Sequence, residues 1–266
     1  MTESFFAERG LYYRTNKFED GRKTLVFIHG LSGSSSAWRE YEARFENEYN
    51  ILTFDQRGHG ESARPTEYGQ YEIGRFASDL KALLDSLMID KCIVIGHSFG
   101  AATALEFLLQ HPDRVTRAVL LSPDFYTKGI KLSRYVFPLI SRLAGLAGFF
   151  PVHRHAGRHV DYAKYPHTGD WNLWRMTADI SNTGLHVYLY CLKQLYGFDL
   201  KDHLGEIAVP VLVIHGAKDT VVPCSNSISL VEKIKGSRIV VLNGANHILV
   251  LNNIPEVSRL IEDFVK

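Results

Sequence analysis

Cysteine is scarce in this 266-residue chain: Cys92, Cys191 and Cys224 lie far apart, with no CxxC pair among them. That excludes a disulfide-stapled miniprotein and leaves no cysteine framework for zinc or a dithiol redox centre. Reduced thiols in a cytoplasmic protein are the expectation. An excess of one charge is missing as well. Thirty Lys and Arg against 29 Asp and Glu leave a formal net charge of +1. No global field exists to hold a polyphosphate backbone, so nucleic acid is not an expected partner. Long clean apolar runs are also absent. The most apolar stretch, residues 135–152, is broken by Pro138 and Arg142 and falls short of the roughly 20 residues a bilayer span needs. The first ten residues place Glu3, Glu8 and Arg9 where a secretory signal requires uninterrupted apolar sequence, so no export signal is read there. Internal repeats and low-complexity segments are not seen, and 45% hydrophobic with 22% charged residues is the balance of a folded globular chain.

The sequence does contain a repeated rhythm. Short apolar runs bounded by turn residues occur at Leu25 to Ile28, Ile51 to Phe54, Cys92 to Ile95, Ala118 to Leu121, Val211 to Ile214 and Ile239 to Leu242. Each has the length and β-branched character of a strand buried on both faces. Between them lie helical periodicities: Ala37 to Asn47, Tyr71 to Met88 and Phe99 to Gln110, then Ser227 to Ile234 and Pro255 to Val265. Strand, helix, strand in this order means a parallel sheet with helices on both faces, an α/β fold. Ser4 to Glu8 and Leu11 to Thr15, joined at Arg9-Gly10, read as an antiparallel hairpin on one sheet edge, for eight strands in all.

Between Pro123 and about Leu204 the strand rhythm stops and helical, aromatic-rich sequence replaces it. A structureless loop of that length is uncommon in a compact domain. The expected organisation is therefore a core of residues 1–122 and 205–266, with residues 123–204 as an inserted helical cap. The length suits one such core and either a monomer or a small homo-oligomer.

Chemistry is concentrated after the strand Cys92 to Ile95. There Gly96-His97-Ser98-Phe99-Gly100 leads into a helix-prone Ala101-Ala102-Thr103-Ala104. Glycines on both sides of a sharp strand-to-helix turn let the backbone pack tightly around a serine held in a strained conformation. Its hydroxyl then stands at the positive end of a helix, where the Phe99 N–H can stabilise an oxyanion. A serine hydroxyl needs a base, and the base an orienting acid. His247 follows the last strand in Asn243-Gly244-Ala245-Asn246-His247, and Asp219 follows the preceding one in His215-Gly216-Ala217-Lys218-Asp219.

The order Ser98, Asp219, His247 resembles the α/β-hydrolase superfamily over nearly the whole chain except the insertion. His29-Gly30-Leu31 and Asp55-Gln56-Arg57-Gly58-His59-Gly60-Glu61-Ser62 match further motifs of that family. The resemblance implies an oxyanion-hole amide at Leu31, a structural turn at Asp55 to Ser62, and Asp124 as a rival position for the acid, with Asp219 favoured. A serine at the elbow, where related dehalogenases and epoxide hydrolases carry aspartate, implies acyl transfer to water. The leading expectation is a small-molecule carboxylic ester, with carbon–carbon bond hydrolysis or a lactone on the same triad as alternatives. A non-catalytic ligand receptor remains a reading from another class. The resemblance calls for no cofactor.

Two further groups bear on substrate. The apolar run Val136, Phe137, Leu139, Ile140, Leu143, Leu146, Phe149 and Phe150, with Trp171 and Trp174, either packs the insertion onto the core or lines an acyl site; Phe137, Phe149, Phe150, Trp171 and Trp174 are the candidate pocket residues. His153, His155 and His159 are close in sequence but lack a carboxylate at ligand spacing, so no metal is expected. They read as a solvated basic surface shared with Arg154 and Arg158, and Arg154, Arg158 and Lys164 could favour an anionic substrate.

Overall fold

The computed structural model describes residues 1–126, 133–147 and 159–266, with the side chains of residues 133–137 and 147 left aside. Eight strands form one sheet: β1 (Thr2–Phe6), β2 (Leu11–Thr15), β3 (Thr24–Ile28), β4 (Asn50–Phe54), β5 (Cys92–His97), β6 (Val115–Leu121), β7 (Val211–Gly216) and β8 (Arg238–Leu242). Their spatial order is β1-β2-β4-β3-β5-β6-β7-β8. The β1–β2 and β2–β4 pairs are antiparallel and every other pair is parallel. The mostly parallel eight-stranded sheet expected from the sequence is therefore present. The first strand starts and ends earlier than its apolar residues suggest. Residues 7–10 form the turn, with Arg9 N donating to Phe6 O and Gly10 N to Ala7 O, so Phe6 pairs with Leu11.

The strands are buried on both faces because successive side chains alternate between two helical layers. Val26, Ile28, Val94, Ala118, Leu120, Val211 and Val213 pack against α2 (Ile73–Ser86), α3 (Phe99–Gln110) and α7 (Cys224–Lys233). Leu25, Phe27, Ile93, Ile95, Val119, Leu121, Leu212 and Ile214 face the other way. Their partners are α1 (Arg39–Phe45), α8 (Leu249–Asn252) and α9 (Ile254–Val265). In that second layer Phe27 sits among Trp38, Tyr41 and Phe45, with ring centroids 5.0–6.3 Å apart. Truncating such a residue to alanine costs about 3–5 kcal/mol.

Between β6 and β7 the described residues hold α4 (Ser133–Ala147), α5 (Leu173–Thr183) and α6 (Leu185–Gly197). The two ends of this segment meet: Leu200 N donates to Phe125 O at 3.0 Å, and Tyr126 bridges to Asp199. Phe125, Leu200 and Leu204 are buried in the core layer that holds α2 and α3, so both ends of the segment between β6 and β7 are packed into the core. Val187, Tyr190 and Cys191 of α6 pack on Tyr71, Phe76 and Phe99, which seats α6 beside the start of α3. On α4, Ile140 and Ala144 are buried, whereas Leu139, Leu143 and Leu146 face outward. Among the described residues no helix is long and apolar enough to cross a membrane.

Candidate active site

The chain reverses sharply between β5 and α3. Ser98 adopts φ 52° and ψ −115°, a conformation that costs on the order of 1–3 kcal/mol and persists only where the surroundings impose it. The surroundings are close backbone. A Cβ on Gly96 would stand 2.5 Å from Gly100 O, and one on Gly100 would run into the backbone oxygens of Ile28 and His29. Glycine at both positions lets β3, β5 and α3 converge, and Ser98 is left partly exposed at the helix N-terminus.

The structure brings together the three residues that the sequence pattern singles out. His247 Nε2 lies 3.0 Å from Ser98 Oγ, and His247 Nδ1 lies 2.8 Å from Asp219 Oδ2. An ionised carboxylate can only accept, so Nδ1 carries the imidazole proton and Nε2 is free to accept from the serine hydroxyl. Burial would raise the Asp219 carboxyl, yet the hydrogen bond and charge of His247 and the Val222 amide hold it at about 2. Its other oxygen accepts from Val221 N and Val222 N at 2.9 and 2.8 Å. His215 fixes the same loop from beneath: burial keeps its ring neutral, and Nε2 donates to Val222 O at 3.1 Å. The rival acid, Asp124, is buried at the cavity wall and accepts from Tyr126 N and Asn226 Nδ2; the carboxylate bonded to His247 is Asp219.

Phe99 follows Ser98 as the first residue of α3, and Leu31 follows Gly30 in the loop after β3. Leu31 lines the cavity with Ser98. The Leu31 loop is held by the turn after β4. His29, kept neutral by burial, donates from Nδ1 to Gly30 O at 2.8 Å and accepts the Gln56 N–H on Nε2 at 3.0 Å. Gln56 Nε2 returns a bond to His29 O at 2.8 Å, and Thr103 holds the other end of the Gln56 amide at 2.9 Å. The Asp55 to Ser62 turn is thus a scaffold for the Leu31 amide. His97 has a comparable role: burial holds it neutral at about 3, and its Nε2 donates to His247 O at 2.9 Å.

A cavity of about 510 Å³ opens over Ser98 and His247, walled largely by Ile140, Met176, Ile180, Leu192, Val250 and Leu251. Part of that wall comes from α4, α5 and α6. Trp171 reaches its edge, 62% exposed, with Nε1 donating to Thr220 Oγ1 at 2.9 Å. Trp174 is 81% exposed and does not line the cavity, a correction to its place among the pocket candidates. On α5 it lies one residue from Arg175, whose side chain turns inward, so Trp174 projects to solvent. The Phe137 side chain, Phe149 and Phe150 lie outside the described residues, as do Arg154, Arg158, His153 and His155.

Polar residues between β6 and β7 were not legible as site components. Tyr162, Asp170, Arg175 and Asp179 line the cavity. Arg175 Nη1 pairs with Asp179 Oδ2 at 2.6 Å and Tyr162 OH donates to Asp179 Oδ1 at 3.0 Å; burial outweighs both and pushes Asp179 up to about 6. The i,i+4 spacing of Arg175 and Asp179 on a helix was the available signal. His159 also departs from expectation. It is largely buried, not a solvated surface residue, and its Nε2 meets Asp55 Oδ2 at 2.8 Å. Lys164 is exposed and paired loosely with Asp161 at 3.8 Å, away from the cavity lining.

A family model described as the alpha/beta hydrolase fold matches residues 23–254. Relatives include 3-oxoadipate enol-lactonase 2 of Acinetobacter baylyi, 27% identical over 227 residues that make up 85% of this chain and 82% of that protein. The karrikin insensitive 2 receptor IA of Petunia hybrida is 27% identical over 256 residues, 90% of this chain and 88% of that protein. Among solved structures, Est816, described as an N-acyl homoserine lactone degrading enzyme, is similar at a TM-score of 0.76 and 25% identity, over 96% of each chain. A family match that runs from the edge of β3 to the first residue of α9 takes in both ends of the sheet's parallel portion, and this chain belongs to the α/β-hydrolase fold family.

Proposed function

We propose that the chain is a serine hydrolase of carboxylic esters, working through an acyl-enzyme. Ser98 Oγ attacks the carbonyl carbon as His247 Nε2 takes its proton, and Asp219 holds the resulting imidazolium. The carbonyl oxygen, now an oxyanion, is received by the N–H groups of Leu31 and Phe99. His247 returns the proton to the leaving alkoxide, then draws one from the water that releases the acid and regenerates Ser98. Residues 123–204 act as a cap whose inner side closes the pocket, and reduced thiols suit a cytoplasmic setting. The observation that carries this reading is the unbroken line Ser98 Oγ, His247, Asp219, at 3.0 and 2.8 Å, opening on an apolar cavity.

A lactone is a cyclic carboxylic ester, and the lactonase names carried by a 27% identical relative and a 25% identical structure favour it as the second reading. The test is hydrolysis of p-nitrophenyl esters from acetate to palmitate and of γ-lactones by the purified protein and its Ser98→Ala variant. Serine-dependent turnover supports the proposal, and the better class of ester selects between open-chain and cyclic substrates. Absence of turnover on every ester and lactone overturns it in favour of carbon–carbon cleavage or ligand reception.

A further inference from the structure

We infer that Asp170 is a positioning residue for the triad: a carboxylate supplied by the insertion that fixes the His247 loop and the Asp219 loop in one geometry. The inference rests on the serine-hydrolase reading above. Asp170 is buried, and three donors converge on it. Oδ1 accepts the His247 backbone N–H at 2.8 Å, and Oδ2 accepts Thr220 N and Thr220 Oγ1 at 2.9 and 2.8 Å. Thr220 is the residue after Asp219, so one carboxylate touches the peptide of the base and the neighbour of the acid. Sequence separation makes this contact costly to form, since Asp170 lies 77 residues from His247 and 50 from Thr220. Only a group that accepts without donating satisfies all three at once, which is what an ionised carboxyl provides and an amide does not.

The segment around Asp170 is itself held on both sides. Asn246 and Asn252 donate from Nδ2 to Thr168 O at 2.9 and 2.8 Å, and Trp171 Nε1 donates to Thr220 Oγ1. From the insertion, Arg175 Nη2 donates to Asp170 O at 3.0 Å while Nη1 is paired with Asp179. Asn172 caps α5 by accepting Arg175 N at 3.0 Å, which fixes where the helix begins relative to Asp170. A continuous polar chain therefore runs Asp179, Arg175, Asp170, His247. Seating of α5 and the geometry of Ser98, His247 and Asp219 are coupled through it, so the insertion is part of the catalytic framework as well as a wall of the pocket.

The test reads triad assembly without requiring the natural substrate. A fluorophosphonate forms a Ser98 Oγ–P bond, loses fluoride and gives the serine proton to His247, so its inactivation rate reports the assembled triad. Asp170→Asn is expected to slow that rate about tenfold or more, because small displacements of a catalytic group carry large rate penalties. The low-field proton resonance of His247 Nδ1–H should shift or broaden, and KM for a p-nitrophenyl ester should stay within about threefold while kcat falls. A lowered Tm with labelling rate and resonance unchanged in the folded protein would mean a merely structural role and overturn the inference. Where Asp170→Asn does not fold, Thr220→Val removes one donor and retains the shape; slower labelling supports the inference and a wild-type rate overturns it. Failure of the wild-type protein to label at Ser98 would overturn the hydrolase reading instead, while a resonance disturbed by Asp170→Asn would still support the coupling.

Discussion

His247 Nδ1 and Asp219 Oδ2 stand 2.8 Å apart, and the second oxygen of the same carboxylate is occupied by the N–H groups of Val221 and Val222. Asp219 is thus held from its backbone side and has one oxygen to give the imidazole. Replacing it by Asn reverses the hydrogen-bond sense at Nδ1 and stabilises the wrong tautomer, so kcat should fall by about 10³- to 10⁴-fold. Asp124→Asn leaves the imidazole bonded as before, and its kcat should stay within about tenfold of wild type. Steady-state kinetics of the two variants decides between them. Turnover that survived in Asp219→Asn and vanished in Asp124→Asn would reverse the assignment.

The His159–Asp55 pair joins the segment between β6 and β7 to the turn after β4, and it makes stability depend on pH. Burial lowers the His159 pKa, but the hydrogen bond and charge of Asp55 outweigh it and raise the value above 6.5. Burial raises the Asp55 carboxyl, and the bond and charge of His159 carry it below 3.8. A raised histidine stabilises fully below its unfolded value and loses that contribution as pH climbs through the folded one; a depressed aspartate stabilises above its unfolded value and loses it as pH falls. The pair therefore contributes most between 3.8 and 6.5. The Tm advantage of wild type over His159→Gln should be largest near pH 6 and shrink by about 2–4 °C at pH 9. An advantage constant across that range would contradict this account.

Much of this fold was readable because parallel strands buried on two faces leave dense, short apolar runs between amphipathic helices. Six of the eight strands were located that way, the two of the N-terminal hairpin by their turn at Arg9-Gly10, and α3 was bounded at Phe99 and Gln110. Ser98, Asp219 and His247 were visible because each follows a strand, where the fold itself collects them at one edge. Asp170 left no such mark. A lone acid before a helix reads as an ordinary capping or surface residue, and its partners lie 50 and 77 residues away in the chain. His159 misled for the same reason: its neighbours in sequence are basic, while its partner in space is Asp55. Trp174 shows the limit of composition, since an aromatic on an amphipathic helix can face either side.

The close approach of α3 to β3 makes Gly100 intolerant of a side chain. A Cβ there meets the backbone oxygens of Ile28 and His29, which cannot rotate aside. Gly100→Ala should lose about 1–3 kcal/mol of stability or more, read by urea unfolding, and should lower turnover by disturbing the Phe99 amide. Unchanged stability would show that β3 and α3 can separate without cost.

Pocket selectivity should follow the cavity lining rather than aromatic content. Leu192 lines the cavity, so Leu192→Trp fills space and should shift preference from long to short p-nitrophenyl esters by about tenfold in relative kcat/KM. Trp174→Ala, at a site turned to solvent, should leave the chain-length profile as it was. The opposite pattern would place the acyl wall at Trp174 on α5 rather than at Leu192 on α6.

Acylation of Ser98 is the step that defines the proposed hydrolase. Rapid quenching of the reaction with p-nitrophenyl acetate, followed by peptide mapping in a mass spectrometer, addresses it directly. One acetyl group is expected on the peptide that contains Ser98, formed within the burst phase and missing in Ser98→Ala along with turnover. Turnover that persists in Ser98→Ala, or an acetyl group carried by another residue during it, would mean that Ser98 is not the nucleophile.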